Sequence, residues 1–273
     1  MNDANIKHEG YIVEKFLKDG YLVVNLFTPD QIEIIKTLIR QKITNIYKDF
    51  CHGKINKNWA LEKYHKTLGV NEKTHATLME NPVRYFFMPE NLIKTLTEQP
   101  LKQIMQHFWG HLDPLITHIG HEKEKNKPVS DNACCFRVIR PGSQDASGVH
   151  VDTYYAAKRK MYIRSLNERL NSSALQLDLL SSWVPIIGFS EKYSLRLSPG
   201  SHVIKHPPNS FIKSPNHITR IVKKDYEKQF NYVRPRLKKG QAIIFHPNTL
   251  HGGSTNFGQK TRVSVEVRFR NNK

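Results

Sequence analysis

Two segments of the chain, about a hundred residues apart, contain side chains that could bind one metal ion. The first is a His-x-Asp triplet formed by His150 and Asp152, and the second contains His246 and His251 after an apolar strand. Residues two apart on a strand point to the same face, so the His150 imidazole and the Asp152 carboxylate can bind one metal together. A third ligand from the second segment would complete a face of two histidines and one carboxylate, which leaves positions on iron open for substrate and oxygen.

Two histidines compete for the third ligand position. We predict His251, because the two glycines that follow it allow close approach by ligands. His246 is the alternative, and as an ordinary strand histidine it would hydrogen-bond to the backbone instead.

An arginine and a serine follow His251 on the next predicted strand. Arg262 and Ser264 share a strand face, and a guanidinium fork with a nearby hydroxyl suits one end of a dicarboxylate. Arg268 is the next candidate for this contact. The competing interpretation is an exposed edge strand with an alternating pattern, whose polar face would consist of Arg262, Ser264, Glu266, Arg268 and Arg270.

The elements that must position these residues are predicted to be mainly strands. From about residue 132, short β-branched and aromatic runs alternate with Gly, Pro, Ser and Asn. The predicted strands are Ala133 to Ile139, Leu175 to Val184, Ser194 to Leu197, Gln241 to Phe245 and Arg262 to Phe269. A polar, arginine-rich stretch near 156–174 predicts an insertion over this core and not a domain boundary.

The N-terminal part is predicted to be mainly helical. After a polar beginning and a short β run, Thr28 can cap a helix, Pro29 suits its first position and Gln31 completes a capping box. More helix follows residue 90 and is interrupted near Pro100, whereas 52–88 has no clear pattern. The apolar stripe of the first helix consists of Ile32, Ile35, Leu38, Ile39, Ile43 and Ile46. We predict one domain over 1–273, with a helical part over about 1–130 and a β core over about 131–273.

Composition and charge limit the class of protein and partner. Hydrophobic residues make up 38% and charged residues 24% of the 273 residues, which excludes disordered and fibrous classes. Lys and Arg number 42 against 24 Asp and Glu, a formal charge of +18. This excess favours an anionic partner in general, but the lysines are scattered, and we predict a solvated basic surface with no nucleic-acid partner.

Cysteine usage and hydropathy bear on the compartment. The three cysteines, of which Cys134 and Cys135 are adjacent, form no paired framework and indicate a reducing environment. The chain has neither an apolar run of signal-peptide length at its start nor one long enough to span a membrane. We therefore expect a cytoplasmic protein with no membrane insertion.

Taken together, the His-x-Asp triplet, the distant His251 and the Arg-x-Ser pair resemble the iron(II) and 2-oxoglutarate-dependent dioxygenases. Two further motifs resemble the phytanoyl-CoA dioxygenase-like branch: Trp183-Val-Pro185 and the Pro-Gly-Ser-His turn that ends at His202. The opening from Gly20 to Gln31 is also similar to that branch. The resemblance covers nearly the whole chain, although 52–130 and 156–174 contribute little to it.

The resemblance implies a fold and a reaction class. The fold would be mainly β with flanking α, a double-stranded β-helix or jelly roll with N-terminal helices. By the same resemblance His150, Asp152 and His251 would hold Fe(II), while Arg262, helped by Ser264, would bind the far carboxylate of 2-oxoglutarate. O2 would be the second co-substrate, and 2-oxoglutarate would leave as succinate and CO2.

Further residues enter with the resemblance. Trp183 would pack beside the co-substrate and Arg137 would line the pocket, although a core tryptophan and a surface strand arginine are the competing interpretations. We predict that His202 is structural in its turn. Halogenating relatives replace the carboxylate ligand by a small residue, so the presence of Asp152 favours hydroxylation or a related oxidation.

The primary substrate is predicted only by class, as a small-molecule metabolite or natural-product intermediate. Variable loops, here 52–88 and 154–174, would determine specificity, and the oligomeric state is open. The alternative class is a non-catalytic jelly-roll binding module for an anionic ligand or nucleic acid, which would have no need of His150, Asp152, His251 and Arg262 together. A cupin-like metalloenzyme that uses no 2-oxoglutarate is a third class, and Arg262 argues against it.

Overall fold

Helices occupy most of the described chain before the β core. The structure, a computed structural model, describes residues 3–51, 55, 58–79, 84–96, 101–110, 115–117, 133–143, 145–153, 179–213 and 220–270. The insertion predicted near 156–174 lies outside these residues. The helices are α1 (Asp3–Asp19), α2 (Pro29–Cys51), α3 (Tyr64–Thr67), α4 (Glu72–Leu78), α5 (Glu90–Leu96) and α6 (Leu101–Trp109), with the short α7 (Lys224–Glu227) in the C-terminal half.

Strands make up the core that follows. They are β1 (Tyr21–Asn25), β2 (Tyr85–Phe87), β3 (Leu115–Thr117), β4 (Ala133–Ile139), β5 (Leu179–Ile187), β6 (Arg196–Leu197), β7 (Phe211–Lys213), β8 (Arg220–Val222), β9 (Gln241–Phe245), β10 (His251–Gly252) and β11 (Arg262–Arg270). The predicted bounds of β4 and β9 match. Strand β5 continues to Ile187, beyond its predicted end at Val184, and the start predicted at Leu175 lies outside the described residues. The fold class is therefore mainly β with flanking helices, as predicted.

The larger sheet is antiparallel and places β11 in its interior. Its order is β1-β9-β5-β11-β4-β2, and β3 also pairs with β11. Ser264 of β11 lies opposite Pro185 on one side and Arg137 on the other. Because β11 has hydrogen-bonded neighbours on both sides, the edge-strand interpretation of its alternating pattern is wrong.

Shorter strands form the second layer. The β7–β8 pair is joined to the segment before His150 by a bond from the Val222 amide to the Val149 carbonyl, 2.7 Å long. His150 in turn bridges to His251 of β10, and β10 pairs with β6. The candidate histidine ligands thus lie on adjacent backbone segments of this smaller layer.

Helix α2 begins where its capping signals predict. The Gln31 amide donates to the Thr28 hydroxyl at 3.2 Å, and the Thr28 amide donates to the Gln31 side chain at 2.8 Å. Its apolar stripe packs against the large sheet; Ile32, Ile35, Ile39 and Ile43 are fully buried, Ile46 is nearly so, and Leu38 is partly buried. Helix α1 occupies the polar beginning, to which we assigned no element, and Phe16 anchors it edge-on against Phe108 of α6.

A buried polar cluster joins the helical part to the loop before His150. Nε2 of His75 lies 3.2 Å from a carboxylate oxygen of Asp145, and Arg140 forks onto the same carboxylate with two bonds of 2.9 Å. The Tyr64 hydroxyl lies 3.3 Å from the other His75 nitrogen. Burial is the main cause that lowers the pKa of His75 to about 4, so this imidazole is neutral at pH 7.

Among the described helices, none combines the length and apolar character that crossing a bilayer requires.

Candidate metal centre and co-substrate pocket

The fold brings the three predicted metal ligands to one place. One potential ligand atom from each of His150, Asp152 and His251 lies within 4.8 Å of the others. All three residues are buried, with 2% to 5% of their surface exposed. Among the described residues, these three form the group of histidine and acidic side chains whose geometry could hold a metal ion.

Backbone pairing sets the separation of the two histidines. The His150 amide donates to the His251 carbonyl at 2.8 Å, and the His251 amide donates back at 3.0 Å. The ring centroids lie 4.4 Å apart. A Cβ atom on Gly252 would lie 3.0 Å from the Gly148 carbonyl oxygen. The glycine after His251 therefore allows a neighbouring backbone segment to approach closely, whereas from the sequence we expected it to make room for ligands.

Backbone carbonyls determine the tautomer of both imidazoles. Nδ1 of His150 lies 2.8 Å from the Gly148 carbonyl, and Nδ1 of His251 lies 2.8 Å from the Thr249 carbonyl. A carbonyl only accepts, so each Nδ1 carries the proton and each Nε2 keeps a lone pair. These Nε2 atoms lie 3.8 and 3.7 Å from Oδ1 of Asp152.

The protonation states of these residues suit metal binding. Burial, followed by the proximity of His251, lowers the pKa of His150 to about 3. Burial also lowers the pKa of His251. Burial alone would raise the pKa of Asp152, but Arg268 and the two histidines hold it well below its usual range. The cluster therefore offers two neutral nitrogens and one carboxylate at neutral pH, a donor set that fits Fe(II).

Asp152 is held by donors on the large sheet. The Ser181 hydroxyl of β5 donates to Oδ2 at 2.6 Å. Arg268 of β11 donates from Nε to Oδ2 at 3.2 Å and from Nη2 to Oδ1 at 3.1 Å. The sequence contained no signal for Ser181, whereas the alternating face of β11 already included Arg268.

His246, the alternative third ligand, lies outside this cluster. Its Nδ1 accepts from the Asn248 amide at 3.1 Å, and its ring packs 5.3 Å from that of His202. His202 contacts the Leu17 carbonyl through Nε2 at 3.0 Å. The backbone-bonded interpretation therefore describes His246, and His202 links its turn to α1 as expected for a structural residue.

Arg262 and Ser264 line the same cavity as the metal cluster, between the two layers of strands. Arg262 is 4% and Ser264 is 3% exposed. Nη1 of Arg262 donates to the Tyr193 carbonyl, while its buried Nε has no hydrogen-bond partner among the described residues. Burial and the nearby Arg137 lower the pKa of Arg262 to about 10, so it stays charged at neutral pH. A buried cation with an unused donor fits a carboxylate ligand.

Trp183 and Arg137 also line the cavity. Trp183 is 5% exposed and packs in a cluster with Leu195, Leu197, Ile243 and Phe245, so it serves the core and the cavity wall at once. Nε of Arg137 donates to Oε1 of Glu266. Arg137 is thus a part-buried residue of the cavity wall, with 21% of its side chain exposed. Glu266 also lines the cavity, and the sequence interpretation gave it no role.

Comparisons with solved structures support the fold. A non-heme α-ketoglutarate-dependent carbocyclase, SnoK from nogalamycin biosynthesis, aligns with 14% identity and a TM-score of 0.52 over 95% of this chain and 82% of that chain. EctD from S. alaskensis with bound Fe aligns with 14% identity and a TM-score of 0.54 over 95% of this chain and 75% of that chain. EctD with 2-oxoglutarate and 5-hydroxyectoine aligns with 12% identity and a TM-score of 0.50 over the same shares. At these identities the likeness concerns the fold.

No curated protein matches the sequence significantly. The family model described as phytanoyl-CoA dioxygenase (PhyH) matches residues 16–264, a span that begins in α1 and ends on β11. This span contains the metal cluster, the Pro-Gly-Ser-His turn, Arg262 and Ser264. Because the match covers most of the chain, the protein belongs to the phytanoyl-CoA dioxygenase (PhyH) family.

Proposed function

We propose that the protein is an Fe(II)/2-oxoglutarate-dependent oxygenase that hydroxylates a small-molecule metabolite or natural-product intermediate. The observation that carries this proposal is the presence of a two-histidine, one-carboxylate cluster and a buried arginine with an unused donor in one cavity. In the overall reaction, substrate C–H, 2-oxoglutarate and O2 become substrate C–OH, succinate and CO2. The whole chain would act as one dioxygenase domain.

In this proposal His150, Asp152 and His251 hold the iron, through Nε2 of each histidine and one carboxylate oxygen. When bound, Fe(II) supplies the redox chemistry that activates O2 and cleaves 2-oxoglutarate. Arg262 binds the far carboxylate of 2-oxoglutarate through its guanidinium, and Ser264 adds a hydroxyl on the same strand face. Trp183 and Arg137 form part of the cavity wall and restrict the position of the co-substrate.

Hydroxylation is favoured as the outcome by Asp152. A carboxylate ligand occupies the place that a halide would need, so halogenation is disfavoured. Proteins of this fold include a carbocyclase, and ring formation is therefore the second candidate reaction. Product analysis by mass spectrometry separates the two, because hydroxylation adds one oxygen atom to the substrate whereas ring formation removes two hydrogen atoms.

The alternative class, a binding module without catalysis, would require neither the Nδ1–H tautomers nor an ionised Asp152 beside them. These features prepare a metal site and have no use in holding an anion. We therefore propose the enzyme over the binding module.

The test is a screen for succinate formation with pooled metabolites, purified protein, Fe(II), 2-oxoglutarate and O2. We expect at least one pool to raise succinate above the uncoupled background of wild-type protein. His150→Ala and His251→Ala should abolish this increase and the bound iron while the folded circular dichroism spectrum persists. His246→Ala is the matched control and should retain iron. Iron binding that is unchanged in both ligand variants would overturn the assignment.

A further inference from the structure

A chain of buried charged side chains lies behind the candidate metal ligands. Arg268 forks onto Asp152 through Nε and Nη2, and its Nη1 lies 3.6 Å from Oε2 of Glu266. Glu266 also accepts from Arg137 on the neighbouring strand β4. The four side chains therefore alternate in sign, from Asp152 through Arg268 and Glu266 to Arg137.

A contribution to the stability of the fold does not explain why these charged side chains are buried together. The side chains of Arg268 and Asp152 are 9% and 2% exposed, and that of Glu266 is 15% exposed. Removing such charges from water costs free energy that their mutual attraction often only balances. Well-packed apolar side chains would serve the sheet as well, so the charges require a local explanation at the site.

The contacts make the two oxygens of Asp152 different. Oδ2 receives the Ser181 hydroxyl at 2.6 Å and Nε of Arg268 at 3.2 Å. Oδ1 receives a single donor from the described residues, Nη2 of Arg268 at 3.1 Å, and faces the Nε2 atoms of His150 and His251 at 3.8 and 3.7 Å. Each carboxylate oxygen has two lone pairs, so the two donors on Oδ2 use both of its own, whereas Oδ1 keeps one toward the histidines. A carboxylate held in this way presents one oxygen to a metal, whereas a freely rotating carboxylate could bind through both and occupy a position needed by co-substrate or O2.

We propose that Arg268 is a positioning residue that holds Asp152 as a one-oxygen ligand through Oδ1, with Glu266 fixing the guanidinium from its other side. This inference rests on the proposed function, because it assumes that Asp152 binds iron. Arg268 acts through Asp152 and has no assigned contact with substrate. Arg262, six residues earlier, retains the co-substrate role, and the two arginines on one strand face therefore have separate tasks.

The experiment is a titration of metal-free protein with Co(II), followed by its visible absorption and by calorimetry. Arg268→Lys keeps the charge but loses the fork, and Arg268→Gln loses the charge. We expect both variants to bind Co(II) about 10- to 100-fold more weakly than wild type, the typical effect of losing a residue that supports a metal ligand. The absorption bands of the bound Co(II) should also change, because the coordination of Asp152 changes.

Matched variants separate positioning from a general effect on the fold. Arg140→Lys removes an equivalent fork on Asp145, and neither residue lines the cavity, so this variant should leave Co(II) affinity and spectrum unchanged. Ser181→Ala removes a single donor to Oδ2 and little volume, so it should weaken Co(II) binding in the same direction but less. It provides the test if the Arg268 variants do not fold.

Two results would overturn the inference. In one, Arg268→Lys and Ser181→Ala both retain wild-type Co(II) affinity and spectrum; in the other, only Arg268→Gln differs, which would mean that charge and not the fork matters. Failure of the proposed function looks different, because wild-type protein itself would then bind Co(II) no better than His150→Ala.

Discussion

At the scale of single residues, the chemistry of the site depends on which atoms are already engaged. Nδ1 of each candidate histidine ligand donates to a backbone carbonyl, which leaves Nε2 available. Oδ2 of Asp152 accepts from both Ser181 and Arg268, whereas Oδ1 accepts from Nη2 of Arg268. Nε of Arg262 has no partner among the described residues. The lone pairs left on the two Nε2 atoms and on Oδ1, and the unused Nε donor of Arg262, are those that a metal and a carboxylate would use.

Replacing Arg262 by Lys tests the co-substrate assignment at this scale. An ammonium cannot reproduce a two-pronged carboxylate contact, and loss of a charged hydrogen bond costs about 1.5 to 3 kcal/mol. We expect 2-oxoglutarate to bind about 10- to 150-fold more weakly, measured by calorimetry with Co(II)-loaded protein. Arg234→Lys, outside the cavity lining, is the control; wild-type affinity in Arg262→Lys would transfer the role to another residue.

At the scale of elements, strand β11 supplies both the core and the site. Its apolar face is fully buried and its polar face lines the cavity, because β4 and β5 cover both of its edges. Helix α2 covers the large sheet and is fixed at its start by the Thr28–Gln31 capping box. The positions of the site residues therefore depend on the central strand β11, and the sheet that contains β11 depends on the packing of α2 against it.

Removing the cap of α2 should destabilise the protein without affecting the site. Thr28→Ala leaves the Gln31 amide without its acceptor, and such a change costs about 1 kcal/mol. Urea denaturation should show this decrease in the free energy of unfolding. Thr37→Ala is the matched control, since that hydroxyl donates only within α2, to the Glu33 carbonyl, and its loss should have little effect. Equal stability of the two variants would contradict the capping role.

At the scale of the whole molecule, ionisation links the fold to pH and to charged partners. Two buried histidines outside the metal cluster, His75 and His246, have pKa values lowered to about 4 and about 3, in both cases mainly by burial. The chain contains 42 Lys and Arg against 24 Asp and Glu, a formal charge of +18. The lowered pKa values of the two histidines predict that the folded protein is less stable in acid. The net positive charge determines how the protein would bind nucleic acids.

Stability should fall as the pH drops from 6.5 toward 4.5. In this range the unfolded chain protonates His75 and His246, whereas the folded protein keeps them neutral, so unfolding takes up protons. Each histidine contributes a slope of up to about 1.4 kcal/mol per pH unit. Urea denaturation of metal-free protein at several pH values should show the slope, and His75→Gln should reduce it. A slope unchanged by His75→Gln would contradict the neutral state of His75.

We also expect DNA and RNA to bind weakly and without sequence preference. Binding through scattered lysines releases counterions, so fluorescence anisotropy with a labelled oligonucleotide should show affinity that falls steeply between 50 and 200 mM salt, roughly as the number of phosphate contacts requires. Tight binding at physiological salt, with oxidation of a base, would contradict this expectation and make nucleic acid the substrate.

Local sequence patterns were enough to predict several features of this protein. Periodicity predicted α2 with its cap and stripe, strands β4 and β9, and the shared face of Arg262 and Ser264, because these depend on neighbours within a few residues. The spacing of His150 and Asp152 was readable for the same reason, whereas His251, about a hundred residues later, was identified through the glycines that follow it and through the family resemblance. Helix α1 was not predicted, because its sequence is polar and its anchoring contact, Phe16 against Phe108, joins residues far apart in the chain.

Which of these residues meet depends on strand pairing across the folded chain. Alternation along β11 shows that Arg262 and Arg268 share a face, but the pairing with β4 and β5 decides that this face lines a cavity and not solvent. The choice of His251 over His246 likewise depends on a backbone bridge to His150. Contacts such as Ser181 and Arg268 on Asp152 join residues far apart in sequence, and no local pattern encodes a pairing that strand order creates.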